Sequence, residues 1–96
     1  MLTRLITLGL TGFLALALPL NVDAVQCGSA ERFGTILIRS GDSERRVLQA
    51  GPDRTVRLET REGGAAGFRH DFYRSSVTVQ VYVRAGVVTE ICRIRG

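Results

Sequence analysis

Tryptophan and lysine are absent from this 96-residue chain, and histidine occurs once. Without lysine there is no glycine-rich loop with a following Lys to hold a nucleotide phosphate, and the glycines of 63–67 lead into a strand pattern rather than a helix. One histidine, no CxxC and no HxxxH leave no ligand spacing from which a metal site can be read. No Ser-His-Asp order and no paired-carboxylate spacing appear. His70 and Asp71 are neighbours in a strand pattern, so their side chains point to opposite faces and do not orient one another. His70 is expected to pack beside Phe68 and Phe72. These shortages lead to the expectation of no enzyme, no metal and no cofactor.

Long apolar runs are scarce as well, and the one present is N-terminal. Met1-Leu-Thr-Arg4 gives a positive start, Leu5 to Leu20 is apolar, and Val22-Asp-Ala24 places small residues at −3 and −1 of a cleavage site. These are the parts of a secretory signal peptide. The rival is an uncleaved anchor, but the run of sixteen residues contains two Thr and two Gly and falls short of the roughly 20 needed to span a bilayer. Gln26 precedes Cys27, where lipid attachment needs a small residue. The expectation is therefore a signal peptide over 1–24 and one small exported domain over 25–96, periplasmic or secreted, with no stable membrane anchor after cleavage near Ala24.

The remaining 72 residues hold 28 apolar and 20 charged ones. That composition suits one folded domain close to the size where a single core becomes marginal. Export gives weight to the two cysteines, because disulfides persist outside the cytoplasm. Cys27 and Cys92 allow one intramolecular pairing, across 65 residues of sequence, and that pairing is the expectation. Two free thiols, a bond to another protein, or a catalytic pair of a cysteine with His70 are the alternatives.

Strand patterns dominate the exported part of the chain. Phe33 to Arg39 is a short β-branched run and reads as a first strand. Ser43 or Asp42 is placed to cap a helix over about 43–50, with Glu44 in its first turn, Val47 and Leu48 toward a sheet, and Gly51-Pro52 as the stop. Thr55 to Thr60 alternates with Val56 and Leu58 on one face, Glu62 to Gly67 reads as a flexible glycine-rich loop, and Phe68 to Tyr73 reads as the next strand. The clearest signal is Val77-Thr-Val-Gln-Val-Tyr-Val-Arg84, whose four valines recur with period two. Ala85-Gly86 then leads into Val87–Ile94, a hairpin expected to use a type I turn with Gly86 in the left-handed bulge position. The fold class expected is α+β: an antiparallel sheet of three to five strands packed by one short helix.

Cys27-Gly28, Leu37-Ile38, Gly41-Asp-Ser43, Val47-Leu48 and Gly51-Pro52 together resemble DUF2845, a family of small exported bacterial proteins. That family is similar in pattern to the BamE (SmpA/OmlA) domain, in which a helix packs on a three-stranded antiparallel sheet. Val83 to Ile91 also resembles the final hairpin of that fold. The resemblance spans about residues 27–94 and implies the fold; its glycines, proline and aliphatics imply almost nothing about activity. Ala50 stands where the family pattern has a cysteine, so the resemblance carries over no partner for Cys27.

All 13 basic residues are arginines, and the formal net charge is +4. Arg45, Arg46, Arg57 and Arg61 are the candidates for an anion-facing surface, since arginine forks match phosphate and carboxylate. Glu44, Asp53, Glu59 and Glu62 are interleaved with them, which describes equally well a solvated basic face. Two functions are consistent with the sequence. The first is a non-catalytic interaction or structural module of the cell envelope with an envelope protein as partner. The alternative is an Arg-rich, disulfide-stapled binder of lipopolysaccharide or acidic polysaccharide. Nucleic acid is not expected as a partner, because no aromatic–basic motif appears.

Overall fold

The computed structural model describes residues 25–95; the expected export segment over 1–24 lies outside them. The valine repeat forms the middle of the molecule. Eight elements run in the order β1 (Val25–Gly28), β2 (Ala30–Phe33), β3 (Ile36–Arg39), α1 (Glu44–Gln49), β4 (Arg54–Glu59), β5 (Ala65–Tyr73), β6 (Val77–Arg84) and β7 (Val87–Arg95). Five of the strands form one sheet in the order β1-β7-β6-β5-β4, and β2 and β3 make a separate two-stranded sheet. Every pairing is antiparallel. The fold is α+β, with one short helix among the described residues.

Strand alternation turns the registers into two faces. Thr55 pairs with His70, His70 with Val81 and Val81 with Ile91, so these four share one face, as do Phe72 and Val79. That face carries the core, where Val79, Val81, Val83, Val88, Ile91 and Phe72 are joined by Val47 of α1 and by Phe33 and Ile38 of the β2–β3 hairpin. The helix and hairpin thus form the second layer that a single sheet needs to bury its apolar side.

The N-terminal hairpin departs from the single strand expected over Phe33–Arg39. Phe33 ends β2, Gly34 turns with φ 65°, and Ile36 begins β3. The sign of φ at Gly34 breaks the β-branched run, since glycine adopts this region at little cost. The hairpin is latched to the large sheet by Glu31, whose carboxylate accepts from Arg74 at 3.2 Å and Arg93 at 2.9 Å. The Arg74 guanidinium also lies 5.0 Å above the centre of the Phe33 ring, within cation–π range.

Helix α1 spans only six residues. Ser43 precedes it in extended conformation, but its side chain makes no capping bond. Instead the Glu44 N–H donates to the Gly86 carbonyl across the molecule, while the Asp42 carboxylate accepts from the Arg39 N–H at 2.7 Å. A tertiary contact thus replaces the expected side-chain cap. Val47 is fully buried but Leu48 is exposed, against the expectation that both face the sheet. Successive helical residues are about 100° apart, so one turn offers a single position to the layer beneath. Gly51 follows with φ 76° and ends the helix as expected.

Two further corrections concern glycine. Ala65, Ala66 and Gly67 belong to β5 rather than to a loop. Between Arg57–Phe68 and Glu59–Ala65 the register advances two residues on β4 and three on β5, so the bulge is on β5. At Gly67, φ is +97° and a Cβ would run into the Val83 carbonyl oxygen. The flexible-looking residue is one the packing requires.

The β6–β7 turn also differs from expectation. Arg84 pairs with Val87 around a two-residue loop, and both Ala85 (φ 52°) and Gly86 (φ 78°) are left-handed. That is a type I′ turn, whose twist matches the flanking strands. The irregularity sits further in, where Tyr82 pairs with Glu90 but Val83 pairs with Val88. A left-handed alanine is strained by about 1–2 kcal/mol, part of which glycine returns through its larger unfolded-state entropy. Ala85→Gly is therefore expected to raise stability by about 0.5–1 kcal/mol in urea unfolding; a loss would show that contacts to the alanine methyl outweigh the strain.

Candidate functional site

His70, on the core face of β5, is nearly fully buried at 2% exposure. Its Nδ1 lies 2.8 Å from the Thr55 Oγ1 and its Nε2 lies 2.8 Å from Glu44 Oε2. An ionised carboxylate only accepts, so Nε2 carries a hydrogen toward Glu44, and a neutral ring then accepts the Thr55 hydroxyl at Nδ1. The ring also stacks on Phe68, with centroids 6.4 Å apart and planes at 26°. A hydroxyl, an imidazole and a carboxylate from β4, β5 and α1 therefore form one chain of hydrogen bonds. Sequence reasoning placed His70 beside Phe68 but missed Thr55 and Glu44, which lie 15 and 26 positions away. No local spacing encodes either contact; the β4–β5 register makes the first and docking of the helix makes the second.

Beside Glu44 opens a cleft of about 350 Å3, lined by Glu44, Arg57, Arg84, Phe68, Val83 and the small residues Ala65–Gly67, Ala85 and Gly86. Neither His70 nor Thr55 is part of its lining. The geometry therefore has His70 hold the Glu44 carboxylate in place, while Glu44 itself meets the cleft.

The opposite face of the sheet is built differently. Val56, Arg69, Tyr82 and Glu90 form one row across it, and Arg54, Asp71, Gln80, Cys92 and Cys27 form the next. Tyr73, Thr78, Ile94 and Val25 form a third row. Among the described residues, no helix or strand pairs with or lies in sequence over this face. Asp71 is nonetheless 2% exposed, gripped by Arg69 through bonds of 2.8 Å to Oδ1 and 3.0 Å to Oδ2. The bond to Asp71 raises the Arg69 guanidinium above its ordinary range, with burial acting the other way. A bidentate fork of this kind is among the stronger side-chain pairings. The i, i+2 spacing of Arg69 and Asp71 was the sequence signal for it.

Cys27 and Cys92 are directly opposed on β1 and β7 and form a disulfide. The one group of possible metal ligands among the described residues is this same pair with Glu90, and the disulfide takes both sulfurs. The four candidate anion-binding arginines lie on three elements. Arg45 and Arg46 are on α1, Arg57 is on the core-face side of β4 at the cleft, and Arg61 is in the turn after β4. Arg46 is engaged, its Nε donating to the Leu37 carbonyl at 3.0 Å and lying 3.7 Å from Asp42. Among the described residues, Arg45, Arg57 and Arg61 have no carboxylate within ion-pair distance.

No protein-family model, no curated protein and no solved structure matches this chain.

Proposed function

We propose that this chain is a non-catalytic interaction module of the cell envelope, exported by residues 1–24, that recognises a protein through the uncovered face of its sheet. The observation that carries the reading is the orientation of β4. Its apolar residues, Val56 and Leu58, belong to the face opposite the core, while Thr55 is turned toward the core beside His70. On β4 Val56 and Leu58 are half-buried and Thr55 and Arg57 exposed, so the strand lends its apolar residues to the face away from the core. Val56 and Leu58 are joined on that face by Tyr82, Ile94 and the exposed Tyr73 and Val25. Tyrosine is enriched among the residues that anchor protein interfaces.

The second reading, a binder of lipopolysaccharide or acidic polysaccharide, draws support from Arg45, Arg57 and Arg61, whose charges meet no carboxylate among the described residues. One experiment separates the two. A photo-crosslinking residue is placed at Tyr73 or at Arg45 in the exporting host, and the product's intact mass is recorded alongside. A mass beginning at Val25 and a discrete protein adduct from Tyr73 that persists at high salt are expected. Adducts from Arg45 alone, lost as ionic strength rises and absent when Arg45, Arg46, Arg57 and Arg61 are all substituted, would favour the anionic ligand.

A further inference from the structure

We propose that the cleft beside Glu44 binds a small zwitterion of the amino-acid type, its ammonium group on Glu44 and its carboxylate on the arginine side formed by Arg57 and Arg84. Burying an imidazole and satisfying both its nitrogens is a demanding arrangement. In this fold it has a definite product: Glu44 Oε2 is held at 2.8 Å from His70 Nε2, and His70 is itself held by Thr55. The other Glu44 oxygen has no partner among the described residues, and Glu44 is one of the residues that line the cleft. A ligand carboxylate whose orientation is fixed by buried neighbours is pre-organised, and pre-organisation lowers the ordering cost of binding.

Arg57 and Arg84 supply the opposite charge. They stand on β4 and at the end of β6 at the same cleft, and no carboxylate of the described residues lies within ion-pair distance of either. Phe68 and Val83 give the cleft apolar wall, and Gly67 and Ala85 leave its rim open. Its volume of about 350 Å3 is at the small end of ligand pockets, which run from about 300 to 1,000 Å3 and combine apolar walls with a few placed polar groups. A fixed anion, two arginines without an ion-pair partner among the described residues and an apolar wall around one small space fit a molecule that carries an amine, a carboxylate and a compact hydrocarbon body.

The probe is L-phenylalanine, titrated into the full chain as recovered from an exporting host and followed by the backbone amide resonances of Gly67, Ala85 and Gly86. Saturable shifts at these amides are expected, with N-acetylphenylalanine and phenylalanine amide each binding about tenfold more weakly, since each lacks one of the two charges. Arg57→Gln/Arg84→Gln should then bind phenylalanine and its amide equally well while still preferring both to the N-acetyl form. Glu44→Gln keeps an oxygen to accept from His70 and should reverse that pattern, losing the preference for a free amine. Arg57 and Arg84 are exposed, so the arginine variant folds even if the Glu44 variant does not. Absence of saturable shifts, or equal binding of all three probes by the unsubstituted chain, overturns the proposal.

Discussion

Replacing both cysteines with serine is expected to cost about 4 kcal/mol, the chain-entropy value for a closed loop of this length. The loop spans 65 positions, nearly the whole folded part of the chain, so its opening frees almost every residue in the unfolded ensemble. For a domain of this size that loss lowers the melting temperature by on the order of 20 °C, and it approaches the entire stability of many small domains. The folded state adds a local consequence. β1 is an edge strand whose only neighbour in the sheet is β7, and all four of its residues are exposed. Without the Cys27–Cys92 bond, four residues of ladder alone hold it. Urea unfolding of the native and the Cys27→Ser/Cys92→Ser proteins measures the first effect, and amide exchange along β1 measures the second. An unchanged midpoint would mean that the loop is already closed by residual structure in the unfolded chain.

Phe72→Ala should be nearly as damaging, at about 3–5 kcal/mol, the range for deleting a buried phenylalanine. Phe72 is 5% exposed and its ring centre lies 4.2 Å from that of Phe33, with the planes at 45°. It is the seat on which the β2–β3 hairpin rests, so the cavity would open between the two layers. Phe72→Leu keeps most of the volume and should cost less than about 1.5 kcal/mol. Tyr73→Ala, one residue further, is expected to change stability by no more than about 0.5 kcal/mol, because Tyr73 is 53% exposed on the other face. The same substitution should remove partner capture if the uncovered face is the interface. Equal losses at the two positions in thermal unfolding would contradict the two-faced sheet.

That contrast between neighbouring residues rests on strand alternation, which is legible in sequence. The alternation of Val77, Val79, Val81 and Val83 needs no partner to be read, because a strand sends successive side chains to opposite sides whatever lies next to it. All four do share one face, and three of them are buried. The alternation of Val56 and Leu58 is equally plain, yet which face it serves is not. Strand pairing decides that: Thr55 falls opposite His70, and the apolar side of β4 turns away from the core.

By itself the sequence determined the local conformations. Gly51 and Gly86 have the positive φ that a helix stop and a tight hairpin require; Pro52 prevents the helix from continuing, and the two cysteines allow one intramolecular bond. Such features depend on the backbone freedom of one or two residues, or on simple counting. Tertiary structure alone decided the rest: that Gly67 is a strand residue, that the helix start is tied to Gly86 rather than to Ser43, and that Leu48 faces solvent. It also brought Glu44, Thr55 and His70 together. Contacts between residues 15 to 26 positions apart depend on how strands register and layers dock. These are set by burial summed over the whole core, which no short window of sequence contains.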